Sequence, residues 1–248
     1  MTRKERWLAA LNLEPADHIP FWPKIDAAYP KAQEPKFREM GSRGLHDWVG
    51  SDQHEGVPLA WNDVNHACST ETVRENGSTR QTFRTPHGER TLVQRFDPAS
   101  QSYHPVDFPI KNREDVEFMT EFFSDVTVEV DREAVDEAQQ NYDQIGDRAV
   151  VVSGVGISPM MDWIQHYAGI ENGQFLLLDY PEEVGALFQA MHEILLRRSE
   201  IEAEHSPADM LYLTENTSTT LISPDQYRRY CLPYKKPVSY THLTLPTN

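Results

Sequence analysis

The stretch Ala208–Lys236, ADMLYLTENTSTTLISPDQYRRYCLPYKK, decides how the chain is interpreted. Its apolar run Met210–Leu213 has the length of a buried strand rather than of a helix. Polar residues follow, and Ser223-Pro224-Asp225-Gln226 then opens a helix. The serine and the glutamine of that tetrapeptide can form a capping box, and its proline suits the first helical position. The stretch therefore predicts a strand, a polar loop and a capped helix.

A second unit of the same design lies upstream. Arg148–Gly154 predicts a buried strand, and it leads into the turn Gly154-Val155-Gly156-Ile157-Ser158-Pro159, after which a helix begins. The short run Ile19–Trp22, between two prolines, predicts another strand. Repeated strand–loop–helix units are typical of α/β folds with parallel strands. The pattern therefore predicts a (β/α)8 barrel of the TIM type.

Polar and glycine residues just past these strands are the candidate site, because the loops at the carboxyl ends of barrel strands line the active site. Glu215 and Asn216 are the catalytic candidates, since a carboxylate can position or protonate a substrate group and an amide can hydrogen-bond a carboxylate. The alternative is a polar loop that caps the next helix. The substrate-binding candidates are Trp22, Ser153, Gly154, Gly156 and Ser158.

The glycine turn before Ser158 would let a substrate approach the backbone, with helix N–H groups pointing at an anion. It is not a dinucleotide-binding fingerprint, because the third glycine is missing. A plain strand-to-helix turn explains the same residues equally well.

An inserted antiparallel sheet is predicted between the barrel elements. Ser51–His66 has the composition of a polar loop. In residues 67–96, Asn76-Gly77 is a strong hairpin signal and Pro86-His87-Gly88 is a second turn. The segments between these turns are rich in threonine, valine, phenylalanine and arginine, with partial alternation. They predict a three-stranded meander.

Composition restricts the class of protein and of partner. The chain has 248 residues, of which 39% are hydrophobic and 25% are charged, as in an ordinary globular domain. Its net charge of −16 argues against nucleic acid or an anionic membrane as a partner. The two cysteines, Cys68 and Cys231, form no disulfide framework, and no apolar run has the ~20 residues of a membrane span. We therefore expect a cytoplasmic protein that acts on a small molecule.

Three histidines and one aspartate are further candidates for metal binding or catalysis. His54, His66 and His104 are predicted to lie in loops, and their spacing matches no metal-binding pattern, so no metal ligands are assigned. Ser124-Asp125 follows two phenylalanines. That aspartate is read either as a helix terminator or as a catalytic group, and the first reading is favoured.

Several motifs resemble the uroporphyrinogen decarboxylase family, which includes cobamide-dependent methyltransferases. Within Ala208–Lys236, the residues that match the family's pattern are Glu215-Asn216, Leu221-Ile222-Ser223-Pro224, Tyr227 and Leu232-Pro233-Tyr234. At the start of the chain, Arg3, Glu5-Arg6, Ala10-Leu11 and Asp17-His18-Ile19-Pro20 are similar to the family's R-x-E-R, A-L and D-R-x-P elements. Asn216 departs slightly, because the family often has serine there. The resemblance covers roughly Thr2–Lys236.

The resemblance implies either methyl transfer to a thiol or decarboxylation of a porphyrinogen. True decarboxylases carry an R-Q-A-G-R loop that binds substrate carboxylates, whereas Pro23-Lys24-Ile25-Asp26 stands after Trp22 here. The methyltransferase-like branch is therefore favoured, with a decarboxylase or an inactive barrel or binding protein as alternatives. In that branch zinc activates the thiol, and a corrinoid, either free or carried by a corrinoid protein, donates the methyl group.

The resemblance also implies that residues 1–236 form one barrel domain that lacks its last strands. Residues 237–248, PVSYTHLTLPTN, have no helical period, and we expect this tail to be foreign to the native protein. The zinc ligands of the family would follow later in the chain. No cofactor is therefore assigned to this fragment, and zinc and a corrinoid are expected only in a longer protein.

Overall fold

The structure is a computed structural model that describes residues 1–25 and 28–243. The helices are α1 (Arg3–Leu11), α2 (Ala28–Lys31), α3 (Pro35–Arg38), α4 (Gly41–Val49), α5 (Arg113–Ser124), α6 (Arg132–Ile145), α7 (Pro159–Asp162), α8 (Ile170–Asp179), α9 (Pro181–His205), α10 (Pro224–Gln226) and α11 (Leu232–Leu243). The strands are β1 (His54–Gly56), β2 (Trp61–Asn65), β3 (Ser69–Glu75), β4 (Ser78–Thr85), β5 (Gly88–Asp97), β6 (Ser102–Asp107), β7 (Val126–Val130), β8 (Val150–Gly156) and β9 (Met210–Leu213). Single π-helical turns follow α7 (Trp163–Tyr167) and α10 (Tyr227–Cys231).

The strands form three separate sheets. One is parallel, in the order β1-β8-β9, the second pairs β2 with β7 antiparallel, and the third runs antiparallel from β3 to β6 in chain order. The predicted (β/α)8 barrel that lacks its last strands is therefore wrong, because the strands of the described residues are divided among three sheets and only β1, β8 and β9 pair in parallel. A barrel requires every strand to have a neighbour on both sides. Here β1 and β9 are the two edges of an open sheet.

The predicted strand Ile19–Trp22 is also absent. Ile19 is 87% exposed, so it contributes little to a core. The neighbouring Phe21 instead makes a local pair with Asp52: its carbonyl accepts the Asp52 N–H at 2.7 Å, and its own N–H donates to the Asp52 carboxylate at 2.9 Å. Asp52 is buried and is also bound by the Arg6 guanidinium. The segment is thus fixed by a buried carboxylate rather than by a ladder of strand hydrogen bonds.

The antiparallel sheet is larger than predicted. The turns at Asn76-Gly77 and at residues 86–88 are where the sequence places them, but a fourth strand, β6, extends the meander beyond residue 96. The sequence hides β6 because it contains Pro105, which cannot donate to a ladder. The proline is tolerated since β6 is an edge strand, and the register shifts between Val93 and Gln94 on the partner strand β5.

Strand β8 is the centre of the parallel sheet. Val150, Val151 and Val152 are at most 2% exposed, as expected for a strand covered on both faces. Val152 faces Gly56 of β1 and Met210 of β9 in the two registers. The strand predicted at Arg148–Gly154 is therefore confirmed with its ends shifted by two residues, and the strand Met210–Leu213 is confirmed as predicted.

Helix α9 covers one side of this sheet and carries the main apolar core. Its fully buried Leu187 and Phe188 belong to a cluster that also contains Trp163 and Met119. Each such side chain contributes roughly 1.5–3 kcal/mol when it leaves water. The cluster reaches the antiparallel meander through Phe83. One core therefore connects the parallel sheet, α5 and the meander.

Two acidic side chains tie helices to the parallel sheet. Glu202 on α9 is 1% exposed; its Oε1 accepts the Ala60 N–H at 2.7 Å and its Oε2 accepts the Ser153 hydroxyl at 2.9 Å. Asp209 accepts the Val151 N–H at 2.8 Å and pairs with Lys4 of α1 at 2.9 Å. These contacts fix α9 and α1 relative to β8.

The end of the chain continues as a helix. α11 runs through Pro237 to Leu243, whereas residues 244–248 of the predicted foreign tail lie outside the described residues. The capping box predicted from Ser223 and Gln226 is present. None of the helices in the described parts of the chain is long and apolar enough to cross a membrane.

We predict that Glu202→Gln raises the free energy of unfolding at neutral pH. The amide oxygen can still accept from Ala60, and the amide N–H can donate to the Ser153 hydroxyl. Burial raises the pKa of Glu202 above its ordinary value of 4.5. The wild type therefore carries no penalty below that value, and its penalty grows as pH rises through the raised folded-state pKa.

Urea unfolding at mildly acidic and mildly alkaline pH measures this effect, and the advantage of the variant should grow with pH. Glu204→Gln is the matched control, because that side chain is on the same helix and 65% exposed. A Glu202→Gln variant less stable than wild type at alkaline pH would contradict the account.

Candidate functional site at the carboxyl edge of the parallel sheet

The loops that follow β8 and β9 meet, because these strands are parallel neighbours and their carboxyl ends lie at the same edge. Ser158 lies two residues past β8 and caps α7, and Glu215 lies two residues past β9. Glu215 Oε1 accepts the Ser158 backbone N–H at 2.6 Å. That N–H belongs to a helix N-terminus and has no partner within the helix. The carboxylate therefore joins the two loops.

The other oxygen of Glu215 is unsatisfied. The side chain is only 9% exposed, and Lys235 Nζ lies 3.6 Å from Oε2. That separation makes an ion pair but is too long for a hydrogen bond. Within residues 1–25 and 28–243, the buried Oε2 has no hydrogen-bond donor. Buried polar atoms are normally paired, so Oε2 is free to accept a hydrogen bond from an additional group.

The helices that follow β9 provide the remaining residues. Lys235 on α11 lies 4.7 Å from the centre of the Tyr227 ring, with its Nζ 3.4 Å from the hydroxyl. Cys231, one helical turn before Lys235, is fully buried. Burial, with a contribution from the nearby Glu215 charge, raises the pKa of the Cys231 thiol to about 11. We call Ser158, Glu215, Cys231 and Lys235 the Glu215 cluster.

An open groove lies beside the cluster. It has a volume of about 410 Å³ and is lined by the polar loop after β9 and by the helix that Ser223 caps, including Tyr227 and Leu232. Tyr227 also contacts Lys235, so one side chain borders both the groove and the cluster. Tyr227 is therefore the link between the groove and the cluster, because no residue of the cluster itself lines the groove.

The other predicted site residues have different surroundings. Asn216 is exposed. Trp22 packs against His54, with 3.8 Å between the ring centroids. The Ser153 side chain points to Glu202 on α9 rather than to the sheet edge. Only Ser158 of the predicted substrate-binding residues contacts Glu215.

The two predicted glycines make close packing possible. A Cβ at Gly154 would lie 3.6 Å from the Tyr212 ring, and Gly156 has φ +115°, a conformation that other residues rarely adopt. Gly156 faces Leu195 and Arg198 of α9. Gly156 is therefore required by its backbone conformation, whereas a Cβ at Gly154 would make an ordinary van der Waals contact. Substrate binding by either one stays a prediction.

The sequence does not identify Lys235 and Cys231 as neighbours of Glu215. Cys231 was correctly expected to be a buried core thiol. The spacing of the two residues, four apart in a helix, places them on one face. What the sequence did not indicate is that this face packs onto the loop after β8.

No group of three or more histidine, cysteine, aspartate or glutamate side chains in the described parts of the chain is arranged to hold a metal ion. His54 lies in strand β1, not in a loop as predicted, and contacts Trp22. His66 bonds Thr127 with 3.0 Å between its Nε2 and the hydroxyl oxygen. His104 lies in strand β6, not in a loop as predicted, and its Nε2 is 2.8 Å from the Ser100 hydroxyl. These histidines have structural partners.

Asp125 terminates α5 and organises the loop before β3. Its carboxylate accepts the N–H groups of Ala67 at 3.0 Å, Cys68 at 2.8 Å and His66 at 2.8 Å. These hydrogen bonds lower the pKa of Asp125 to about 2. The favoured reading of this residue, helix termination, agrees with its position as the C-cap of α5.

None of the models of known protein families matches the chain, and no curated protein matches it.

We predict that Asp125→Ala lowers the melting temperature at neutral pH, because three loop N–H groups lose their acceptor. The carboxylate's contribution is complete above its ordinary pKa of 3.8 and is lost as pH falls through about 2. The gap between wild type and variant should therefore be constant near neutrality and close in strong acid. Thermal unfolding across pH measures it, with the exposed Asp136→Asn as control. Equal melting temperatures near neutrality would show that the three hydrogen bonds contribute nothing.

We also predict that Cys68 and Cys231 react slowly with iodoacetamide in the folded chain. Both thiols are buried, and burial raises the pKa of each to about 11. The thiolate is the reactive form, so both effects slow alkylation. Mass spectrometry after timed labelling should show modification only once denaturant is added. Fast labelling of Cys231 in the folded protein would mean that the Glu215 cluster is open to solvent.

Proposed function

We propose that the Glu215 cluster binds the small-molecule substrate of a methyltransferase that transfers a methyl group to a thiol acceptor. One observation carries this proposal: a nearly buried carboxylate has one oxygen fixed by the Ser158 N–H while its other oxygen has no donor in the described structure. The kind of transfer is taken from the resemblance to cobamide-dependent methyltransferases. The binding role is taken from the geometry.

The unsatisfied oxygen favours a ligand that donates a hydrogen bond. A ligand O–H or N–H at Glu215 Oε2 would satisfy an oxygen that is otherwise left without a donor. Lys235 lies beside that oxygen and offers N–H groups to an acceptor on the same ligand. Asn216 is on the solvent side of the loop, where it can contact the outer part of the ligand or of a corrinoid protein. The cluster would orient the methyl donor rather than bind a metal.

Decarboxylation of a porphyrinogen is the less favoured activity. Several substrate carboxylates would need cationic partners, and arginine is the residue best suited to pair with them. The stretch Pro23-Lys24-Ile25 that follows Trp22 contains one basic residue, Lys24. The next residue, Asp26, lies outside the described residues. At the Glu215 cluster the nearest cation, Lys235, is already beside a carboxylate. A ligand rich in carboxylates would therefore be poorly matched here.

The described residues do not form a site that fits zinc, the metal that the resemblance implies for thiol activation. Zinc sites use three or four nitrogen, sulfur or oxygen ligands from the protein, and the described residues bring no such set together. No step is therefore derived through zinc. Cys231 in particular is a buried thiol with a raised pKa, the opposite of a coordinating thiolate.

A cytoplasmic location is part of the proposal. Cys68 and Cys231 are both free, which suits a reducing compartment. The net charge of −16 disfavours nucleic acid and anionic membranes as partners.

We predict that, in a longer protein that supplies the zinc ligands, Glu215→Gln slows methyl transfer from methylcobalamin to 2-mercaptoethanol by roughly ten- to a hundredfold, the usual effect of removing a charged hydrogen-bonding group. Gln can still accept the Ser158 N–H, so the loop geometry should be kept. The assay measures loss of methylcobalamin by absorbance, in the presence of zinc, for wild type and variant. Glu204→Gln is the control, since its side chain is 65% exposed and lies on α9 rather than in the loop after β9.

Unchanged turnover in Glu215→Gln would reduce the residue to a loop-joining role. Absence of any methyl transfer by that longer protein would contradict the enzymatic proposal and favour an inactive or purely binding protein.

A further inference from the structure

A second cavity lies on the α9 side of the carboxyl end of β8. Its volume is about 270 Å³, just below the usual range for drug-sized ligands of about 300–1,000 Å³. The apolar part of its lining is contributed by α5, the turn after β8 and α9, through Phe123, Ile157, Met191, Ile194 and Leu195. Glu215, Cys231 and Lys235 are not among its lining residues. The cavity is therefore separate from the Glu215 cluster and suits a small, mainly apolar molecule.

Asp162 and His166 form an oriented pair in this cavity. Both line it, and His166 Nδ1 is 2.7 Å from Asp162 Oδ1. Because an ionised carboxylate only accepts hydrogen bonds, Nδ1 carries the proton in the neutral ring. Nε2 is then left as a hydrogen-bond acceptor. The pair thus presents one acceptor of fixed tautomer to a ligand.

Arg198 supplies a donor to the same cavity. Its Nε and Nη2 bind Asp63, with Nε 3.1 Å from Oδ1, and its guanidinium lies 4.2 Å from the centre of the Trp61 ring. In the described part of the chain, Nη1 has no hydrogen-bond partner. That atom lies 3.8 Å from where a Cβ of Gly156 would be. A glycine at this position keeps the space in front of the guanidinium clear.

Charges of both signs border the cavity. Arg198 is paired with Asp63, and the Asp162 carboxylate accepts from His166 Nδ1. Tyr167, which also lines the cavity, stays a neutral hydroxyl because burial raises its pKa well above the ordinary value. An anion would meet Asp162 and a cation would meet Arg198. An uncharged ligand is therefore the best match.

We propose that this cavity binds a small uncharged alcohol, whose hydroxyl donates to His166 Nε2 and accepts from Arg198 Nη1. The apolar body of the alcohol lies against Met191, Ile194 and Leu195. This site is independent of the proposed methyl transfer, because it shares no side chain with the Glu215 cluster.

The test uses cyclohexanol as the probe and the His166 ring resonances in NMR spectra as the readout. Cyclohexanone is the matched probe: it has the same ring and an oxygen that accepts from Arg198, but it has no O–H to donate to His166. We expect saturable shifts with cyclohexanol and affinity for cyclohexanone weaker by about fivefold or more, the effect of one hydrogen bond. Because this comparison uses the unaltered chain, it does not depend on any variant folding.

His166→Phe should weaken cyclohexanol binding by a similar factor, followed through the methyl resonances of Ile194 and Leu195. His87→Phe is the control variant, since that histidine is 77% exposed and pairs with Glu121 on another part of the surface. Equal affinities for the alcohol and the ketone, no saturable shift with either, or unchanged alcohol binding in His166→Phe would each overturn the proposal. Glu215→Gln should leave binding unchanged, which separates this site from the methyl-transfer proposal.

Discussion

The parallel pairing of β8 with both β1 and β9 is the constraint on which the rest of the structure depends. β8 is buried on both faces, and its neighbours on either side come from segments almost a hundred and about sixty residues away in sequence. These long-range pairings bring the loops after β8 and β9 to one edge. They also place Ser153 and Ala60 where the buried Glu202 of α9 can bind both. Without the pairing, the Glu215 cluster would not form, and Glu202 could not fix α9 to the parallel sheet.

Local signals predicted the individual elements near this sheet well. Met210–Leu213 is a strand with the bounds read from the sequence, and the Ser223 capping box forms. By contrast, the region predicted as a polar loop, Ser51–His66, contains β1 and β2. β1 is the three-residue segment His54-Glu55-Gly56, with no β-branched residue to indicate a strand. It is extended because β8 offers it hydrogen bonds, and strand formation of this kind depends on context more than on propensity.

The prediction of a barrel was wrong for a related reason. Strand–loop–helix units indicate parallel strands, but how many strands join one sheet is decided by pairings between distant segments. The sequence also could not show which way Ser153 faces. Successive strand residues point to opposite faces, and only the packed position of α9 directs Ser153 to Glu202. At the site, the rule that loops meet at the carboxyl edge of parallel strands correctly predicted that Glu215 lies near Ser158. The positions of Lys235 and Cys231 could not be predicted, because they depend on how α11 packs.

Amide hydrogen exchange at Ser158 tests the central claim most directly. Ser158 is the N-cap of α7, so its N–H has no helical partner, and an N–H at such a position would exchange quickly if it faced water. The account predicts strong protection, because the N–H donates to the nearly buried Glu215 carboxylate at 2.6 Å. Exchange at the rate of an open loop would show that the two loops do not meet, and it would contradict the site built on Glu215.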